Sequence, residues 1–111
     1  DYAYIHVEAP DEMGHQGSLT NKVKAIEYLD SRVIQRVYDK MTASGEDFRM
    51  LVLPDHPTPI AVRTHTSDPV PYMLYDSTDI KDEKHLYNEK EAKESGRLFE
   101  QGYELMSYFL Q

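Results

Sequence analysis

Between residues 18 and 45 the chain carries one long amphipathic stretch, and a short apolar run stands on each side of it. Val23, Ile26, Leu29, Val33, Val37 and Met41 recur at helical spacing, with Ile34 and Tyr38 widening the stripe. Lys22, Lys24, Glu27, Arg32, Arg36 and Lys40 fill the opposite face. Ser18 or Thr20 supplies an N-cap, and Gly45 supplies the left-handed residue that ends such a helix. The flanking runs, YAYIHV at 2–7 and FRMLVL at 48–53, have the β-branched and aromatic content of strands. Strand, long helix and strand within about fifty residues make a βαβ unit, whose two strands run parallel through a right-handed crossover. The expectation is an α/β fold, a mostly parallel sheet with flanking helices, in which the helical stripe is core and residues 2–7 form a central strand covered on both faces.

The rest of the chain is read around that unit. Residues 11–17 (DEMGHQG) are expected to be a loop, since two glycines and a preceding proline oppose regular structure. Residues 70–75 read as a third strand, entered through Asp68-Pro-Val-Pro71, and the charged residues 76–90 read as a surface loop. A short helix over 89–95 stops at Gly96, and a closing helix over 103–110 presents Leu105, Met106, Phe109 and Leu110 to the sheet. The first residue is Asp1, and the strand at 2–7 follows without a lead-in, so residues 1–111 are expected to be one part of a longer chain.

Charge and cysteine content narrow the function classes. Twenty acidic against 12 basic residues give a formal net charge of -8, which argues against docking on nucleic acid or on an anionic membrane. No apolar run approaches the roughly 20 residues of a membrane-spanning helix, and a secretory signal peptide is not expected. The absence of cysteine excludes disulfides and thiolate zinc sites, and a cytoplasmic setting is the expectation.

Two carboxylate and imidazole pairs carry the chemistry. Asp11 and His15 follow the first apolar run, Asp55 and His56 follow the second, and His65 comes nine residues after His56. In open α/β sheets ligands sit at the carboxyl ends of parallel strands, so the βαβ unit brings both pairs to one edge. Mixed carboxylate and imidazole donors suit Zn²⁺, Mn²⁺ or Fe²⁺ better than Ca²⁺. Two such ions about 3.5–4 Å apart clamp the attacking and leaving oxygens of a phosphoryl transfer. Other polar residues carry blander readings. His6 is a satisfied core or edge histidine, His85 is solvated, and Asp68 belongs to a turn. Arg63 is either a phosphate contact, through its bidentate fork, or a surface ion pair.

The segments HVEAPDEMGHQG, KVKAIEYLDSRV and LVLPDHPTPIAVRTHTSDPVPY resemble the C-terminal part of cofactor-independent phosphoglycerate mutases of the archaeal-type branch, in the alkaline phosphatase superfamily. The ending YNEKEAKESGRLFEQGYELMSYFL resembles the same branch, so the likeness covers essentially the whole chain. The resemblance implies an alkaline phosphatase-like α/β domain of which this is the C-terminal, metal-binding portion. It implies that Asp11, His15 and His65 bind one divalent ion and that Asp55 and His56 bind a second. Manganese or zinc fits best, with magnesium or cobalt as further candidates. It also implies a phosphorylated small-molecule substrate, interconversion of 3- and 2-phosphoglycerate, and a phosphoserine intermediate. The nucleophilic serine of the family has no counterpart here, because Ser18, Ser31 and Ser44 stand in other contexts, so this chain alone is expected to be inactive. Two alternatives stay open: a related phosphotransferase on another acceptor, of the proposed homoserine kinase type, and a non-catalytic metal-binding module. A sheet edge left unpaired would further favour a homodimer or domain swap.

Overall fold

The computed structural model describes residues 1–81 and 83–111, which divide into two compact units. The first comprises Asp1–Gly45 and His56–Asp68, the second Glu46–Asp55 and Pro69–Gln111. Helices and a two-stranded sheet give the chain its α/β content.

In the first unit the expected loop at 11–17 is a helix, α1 (Ala9–His15). Its punctuation explains the difference. Pro10 lies in the first turn, where a missing N–H costs nothing and a fixed φ favours the helix. Gly17 (φ +68°) closes it in a Schellman motif, with Ser18 N–H donating to Met13 O at 3.1 Å and Gly17 N–H to Gly14 O at 3.0 Å. The proline and the second glycine are thus start and stop signals rather than breakers. The chain then enters α2 (Leu19–Leu29), capped by Ser18 Oγ, which accepts from Asn21 N–H at 3.3 Å. A π-helical turn over Asp30–Ile34 carries α2 into α3 (Gln35–Ser44), and Gly45 (φ +73°) ends it as expected.

Two further expectations fail in this unit. Residues 2–7 form no strand: a strand exists only through ladder hydrogen bonds to a neighbour, and no described residue pairs with this run. Tyr2, Tyr4, Ile5 and Val7 are exposed, and His6, expected in a core or at an edge, is exposed and stacked on Tyr4 at 6.3 Å. The apolar stripe is not a core either, since neither α2 nor α3 buries a residue and Leu19, Val23 and Ile26 face solvent.

The second unit holds β1 (Arg49–Val52) and β2 (Met73–Asp76), which pair antiparallel, Arg49 opposite Asp76 and Val52 opposite Met73. The described residues therefore contain no parallel pair: the strand expected to run parallel to β1 is unformed, and β1 takes β2 instead. β2 begins later than the run at 70–75 because Pro71 has no N–H for a ladder. Helix α4 (Glu89–Glu94) starts at Asn88, whose side chain accepts from Glu91 N–H, and α5 (Gly102–Phe109) buries Leu105 while Met106 and Leu110 stay exposed.

Asp76 locks the β1–β2 end. Thr78 donates to its Oδ1 through the hydroxyl at 2.6 Å and the backbone at 2.8 Å, and Arg49 Nε donates to its Oδ2 at 2.7 Å. These bonds, Thr78's first, hold its carboxyl down at about 2. A depressed carboxyl stabilises the fold above its unfolded value of 3.8, and that contribution is lost as pH falls through about 2. The protection of the β1–β2 ladder amides, taken relative to their intrinsic exchange rates, should accordingly fall between about pH 4 and 2, and Asp76→Asn should remove most of that pH dependence. A ladder whose exchange profile is the same in the variant would refute this role for the carboxylate.

Candidate metal centre

Three donor side chains meet in the first unit. Asp11 and His15 stand four residues apart on α1, so the helix itself aligns them on one face. His65 arrives from a loop that leaves and returns to the same place. Arg63 N–H donates to Pro59 O at 2.8 Å, Arg63 adopts a left-handed φ of +59°, and Thr66 N–H closes the loop on Pro57 O at 3.2 Å. A non-glycine residue in that region is strained by about 1–3 kcal/mol and persists only where its surroundings require it. Here the reversal at Arg63 brings His65 back over His56, ring centroids 3.6 Å apart. Convergence thus comes from a helix face and a closed loop, not from the ends of two parallel strands.

His15 Nε2 lies 3.3 Å from Asp11 Oδ2 and 3.2 Å from His65 Nε2, and His65 Nε2 lies 3.1 Å from Asp11 Oδ1. The protons can be placed by what each partner is able to accept. His15 Nδ1 faces the Arg63 carbonyl at 3.0 Å, and a carbonyl only accepts, so Nδ1 carries the proton and Nε2 presents a lone pair. That nitrogen confronts a carboxylate oxygen, and two acceptors at this distance are reconciled by a cation between them, either a metal ion or a proton that makes His15 the imidazolium partner of Asp11. A tetrahedral ion with Zn–N distances near 2.0–2.1 Å has donor–donor edges of about 3.3–3.4 Å. The donor set, two imidazoles and a carboxylate with all donor atoms within 4.8 Å of one another, fits a divalent ion. The backbone carbonyl behind His15 is the outer-shell partner that metal-ligating histidines ordinarily have.

The side chains are open to solvent: His15 is 42%, His65 51% and Asp11 33% exposed. A site of three protein donors with an accessible face can admit a further ligand. Thr58 is the contrast, only 4% exposed. Its hydroxyl donates to Asp11 Oδ1 at 2.5 Å and its carbonyl accepts from Lys22 Nζ at 2.6 Å. The Thr58 hydrogen bond is the main cause that holds the Asp11 carboxyl below its usual range; burial opposes it, and the His15, His65 and His56 charges assist. Sequence reasoning passed over Thr58. The available signal was a hydroxyl between two prolines, in the run His56-Pro57-Thr58-Pro59, where little else fits a rigid extended segment.

The other expected site residues fall as follows. His56 belongs to the first unit, stacked on His65, while Asp55 belongs to the second. The Arg63 guanidinium lies against Gly17, and among the described residues no carboxylate forms an ion pair with it, so the surface ion pair is not the arrangement adopted. Asp68 accepts from Thr66 Oγ1 at 2.8 Å, a local turn contact, and His85 pairs with Glu83 and Glu91 at the surface.

A family model described as "Metalloenzyme superfamily" matches residues 1–110. The chain belongs to the metalloenzyme superfamily. Among metalloenzyme relatives, it is 50% identical over 99 residues to the 2,3-bisphosphoglycerate-independent phosphoglycerate mutase of Methanosarcina acetivorans, a match covering 88% of this chain and 25% of that protein. It is 43% identical over 111 residues to the probable 2,3-bisphosphoglycerate-independent phosphoglycerate mutase of Geobacter sulfurreducens, covering 99% of this chain and 28% of that one. A third such mutase, from Methanothermobacter thermautotrophicus, is 46% identical over 94 residues, 85% of this chain and 23% of its own length. The chain thus spans about a quarter of the length of the curated relatives it matches. No solved structure matches it. Among the described residues no helix is long and apolar enough to cross a membrane.

Proposed function

We propose that this chain is the C-terminal, metal-binding part of a cytoplasmic cofactor-independent phosphoglycerate mutase, which interconverts 3- and 2-phosphoglycerate through a phosphoserine. The observation that carries the reading is the meeting of Asp11, His15 and His65 at donor separations that suit one divalent ion, in a chain whose relatives bear that enzyme's name. Asp55 and His56, consecutive in the chain, are the proposed ligands of a second ion, manganese or zinc in both cases.

When bound, the two ions would neutralise charge on a transferring phosphoryl group and acidify the attacking hydroxyl. The chain's own residues have narrower tasks. The Arg63 carbonyl keeps the His15 proton on Nδ1 and so presents Nε2 to the site. Thr58 favours the ionised form of Asp11. The Arg63 guanidinium, exposed and without a carboxylate ion pair among the described residues, offers a bidentate fork to the substrate phosphate. The resemblance places the serine nucleophile in a part of the family that these residues do not match; here Ser18 caps α2 and Ser44 donates to Met41 O at 2.7 Å within α3. The exposed apolar run at 2–7 and the uncovered stripe of α2 support a larger domain in which 2–7 joins a parallel sheet. The same surface would drive a homodimer of the isolated chain, visible on a sizing column.

Calorimetric titration with Mn²⁺ or Zn²⁺ tests the reading. The Asp11, His15, His65 site is expected to fill first, because its donors meet within this chain. The second should be weaker and should vanish in an Asp55→Ala, His56→Ala double variant. No isomerisation of 3-phosphoglycerate is expected from the chain alone. Measurable turnover would overturn its assignment as a part lacking the nucleophile, and absence of any ion uptake would overturn the metal centre.

A further inference from the structure

Arg63 stands at the reversal of the loop that returns His65 to the site, in a conformation that a long side chain disfavours. Its φ of +59° lies in the left-handed region, which glycine or asparagine adopts at lower cost. Its carbonyl meets His15 Nδ1 at 3.0 Å, its N–H donates to Pro59 O at 2.8 Å, and His65 follows two residues later. The Arg63 backbone therefore borders both histidines of the centre. Its guanidinium lies on the turn that ends α1. A Cβ built on Gly17 would collide with Arg63 Nε and would lie 2.8 Å from Cζ and 2.9 Å from Nη2. Gly17 thus meets two demands at once, its own φ of +68° and the space that the guanidinium fills. Gly45 and Gly96 share the positive φ, yet a Cβ on either would meet nothing within 4 Å.

We propose that Gly17 and Arg63 form a clasp, a guanidinium seated on a Cβ-free turn, which holds the His65 loop against α1 and so positions His15 and His65 for one ion. Neither residue is a ligand. Both are positioning residues, and each explains the other. The bare Cα of Gly17 admits the guanidinium, and the guanidinium accounts for an arginine where the backbone favours glycine or asparagine. The clasp also closes beside the donors it serves, because His15 ends α1 two residues before Gly17. It is separate from the phosphate contact proposed above, since a guanidinium resting on Gly17 keeps several N–H donors for an anion. The inference rests on the metal reading for what the clasp serves, but the contact itself is present without an ion.

A nuclear Overhauser effect between Arg63 Hε and the Gly17 Hα protons reads the clasp directly, and it is expected in the metal-free wild type. Gly17→Ala fills the space, while Arg63→Asn removes the guanidinium and keeps a residue that tolerates the left-handed turn. In phosphate-free buffer each should weaken Zn²⁺ binding at the Asp11, His15, His65 site by about tenfold, the low end of what losing an outer-shell partner brings. The double variant should bind no more weakly than either single one, because one contact can be lost only once. Gly45→Ala carries the same kind of backbone strain in open space, so it should bind as the wild type does. Relaxation of the ¹⁵N amides at 63–66 should show lost order in both single variants and none in Gly45→Ala. A role in stability alone would leave affinity and loop order of the folded chain unmoved. Absence of the Overhauser effect in the wild type, an Arg63→Asn chain with wild-type affinity and loop order, or losses that multiply in the double variant, would overturn the proposal. Should circular dichroism show Gly17→Ala unfolded, the wild-type contact and the Arg63→Asn measurements decide. Should the wild type take up no ion, the metal reading falls while the contact and the loop order still judge the clasp.

Discussion

Asp11→Ala should abolish ion binding at the first site, with a loss larger than the about 10–100-fold that removal of an outer-shell group produces. Asp11 is the carboxylate of a set whose other donors are imidazoles, so its removal takes away both a ligand and the negative charge that attracts a cation. It also draws on more than one bond. Oδ1 is shared by His65 Nε2 and the Thr58 hydroxyl, and Oδ2 faces His15 Nε2. Alanine would leave the buried Thr58 hydroxyl without its acceptor, at a cost of about 1–3 kcal/mol. Asp11→Asn separates the two effects. Its amide oxygen still accepts from Thr58, so the fold should hold near wild-type stability, while the lost charge should still remove most of the affinity. Calorimetric titration alongside denaturant unfolding distinguishes them. An Asp11→Ala chain that binds Mn²⁺ as the wild type does would remove Asp11 from the centre.

How far this was legible in the sequence depended on whether a signal was local. The long helix was, because its caps at Ser18 and Gly45 and its apolar period lie within one stretch. The stop of α4 before Gly96 and the strand at β1 were legible for the same reason. Pairing was not. Residues 2–7 have strand composition, but composition cannot supply a partner, and β1 pairs antiparallel with β2 rather than parallel with them. The helix α1 was concealed by two residues judged by type instead of position, Pro10 in a first turn and Gly17 just past a last one. That misreading mattered for the site. The residues Asp11, His15 and His65 were named from the sequence and its resemblance, yet their alignment was credited to strand ends. The structure credits it to helical spacing and to a loop reversed at Arg63, a conformation no motif announces. Thr58 escaped because buried hydroxyls leave no periodic trace, and only the loop's closure reveals what this one touches.

Gly14→Ala should disrupt the first unit at the close approach of α1 to Thr58. An added Cβ would fall on the Thr58 carbonyl oxygen and would lie 2.9 Å from Thr58 Cγ2 and 3.0 Å from Lys22 Nζ. The lysine end can swing away, but the carbonyl belongs to a backbone fixed by flanking prolines and cannot yield cheaply. Alanine ordinarily gains up to about 1 kcal/mol over glycine inside a helix. Overpacking a tight contact costs about 1–3 kcal/mol, so the net sign is destabilising. The damage should also reach the ions, because moving α1 off Thr58 lengthens the Asp11–Thr58 hydrogen bond that lies one turn away. Gly102→Ala serves as the control: its Cβ meets nothing within 4 Å at the start of α5, so the substitution should be neutral or slightly stabilising and should leave ion affinity unchanged. Denaturant unfolding and Mn²⁺ titration of the two variants make the comparison. A Gly14→Ala chain as stable as Gly102→Ala, with wild-type affinity, would mean that the close approach of α1 to Thr58 does not hold the site together.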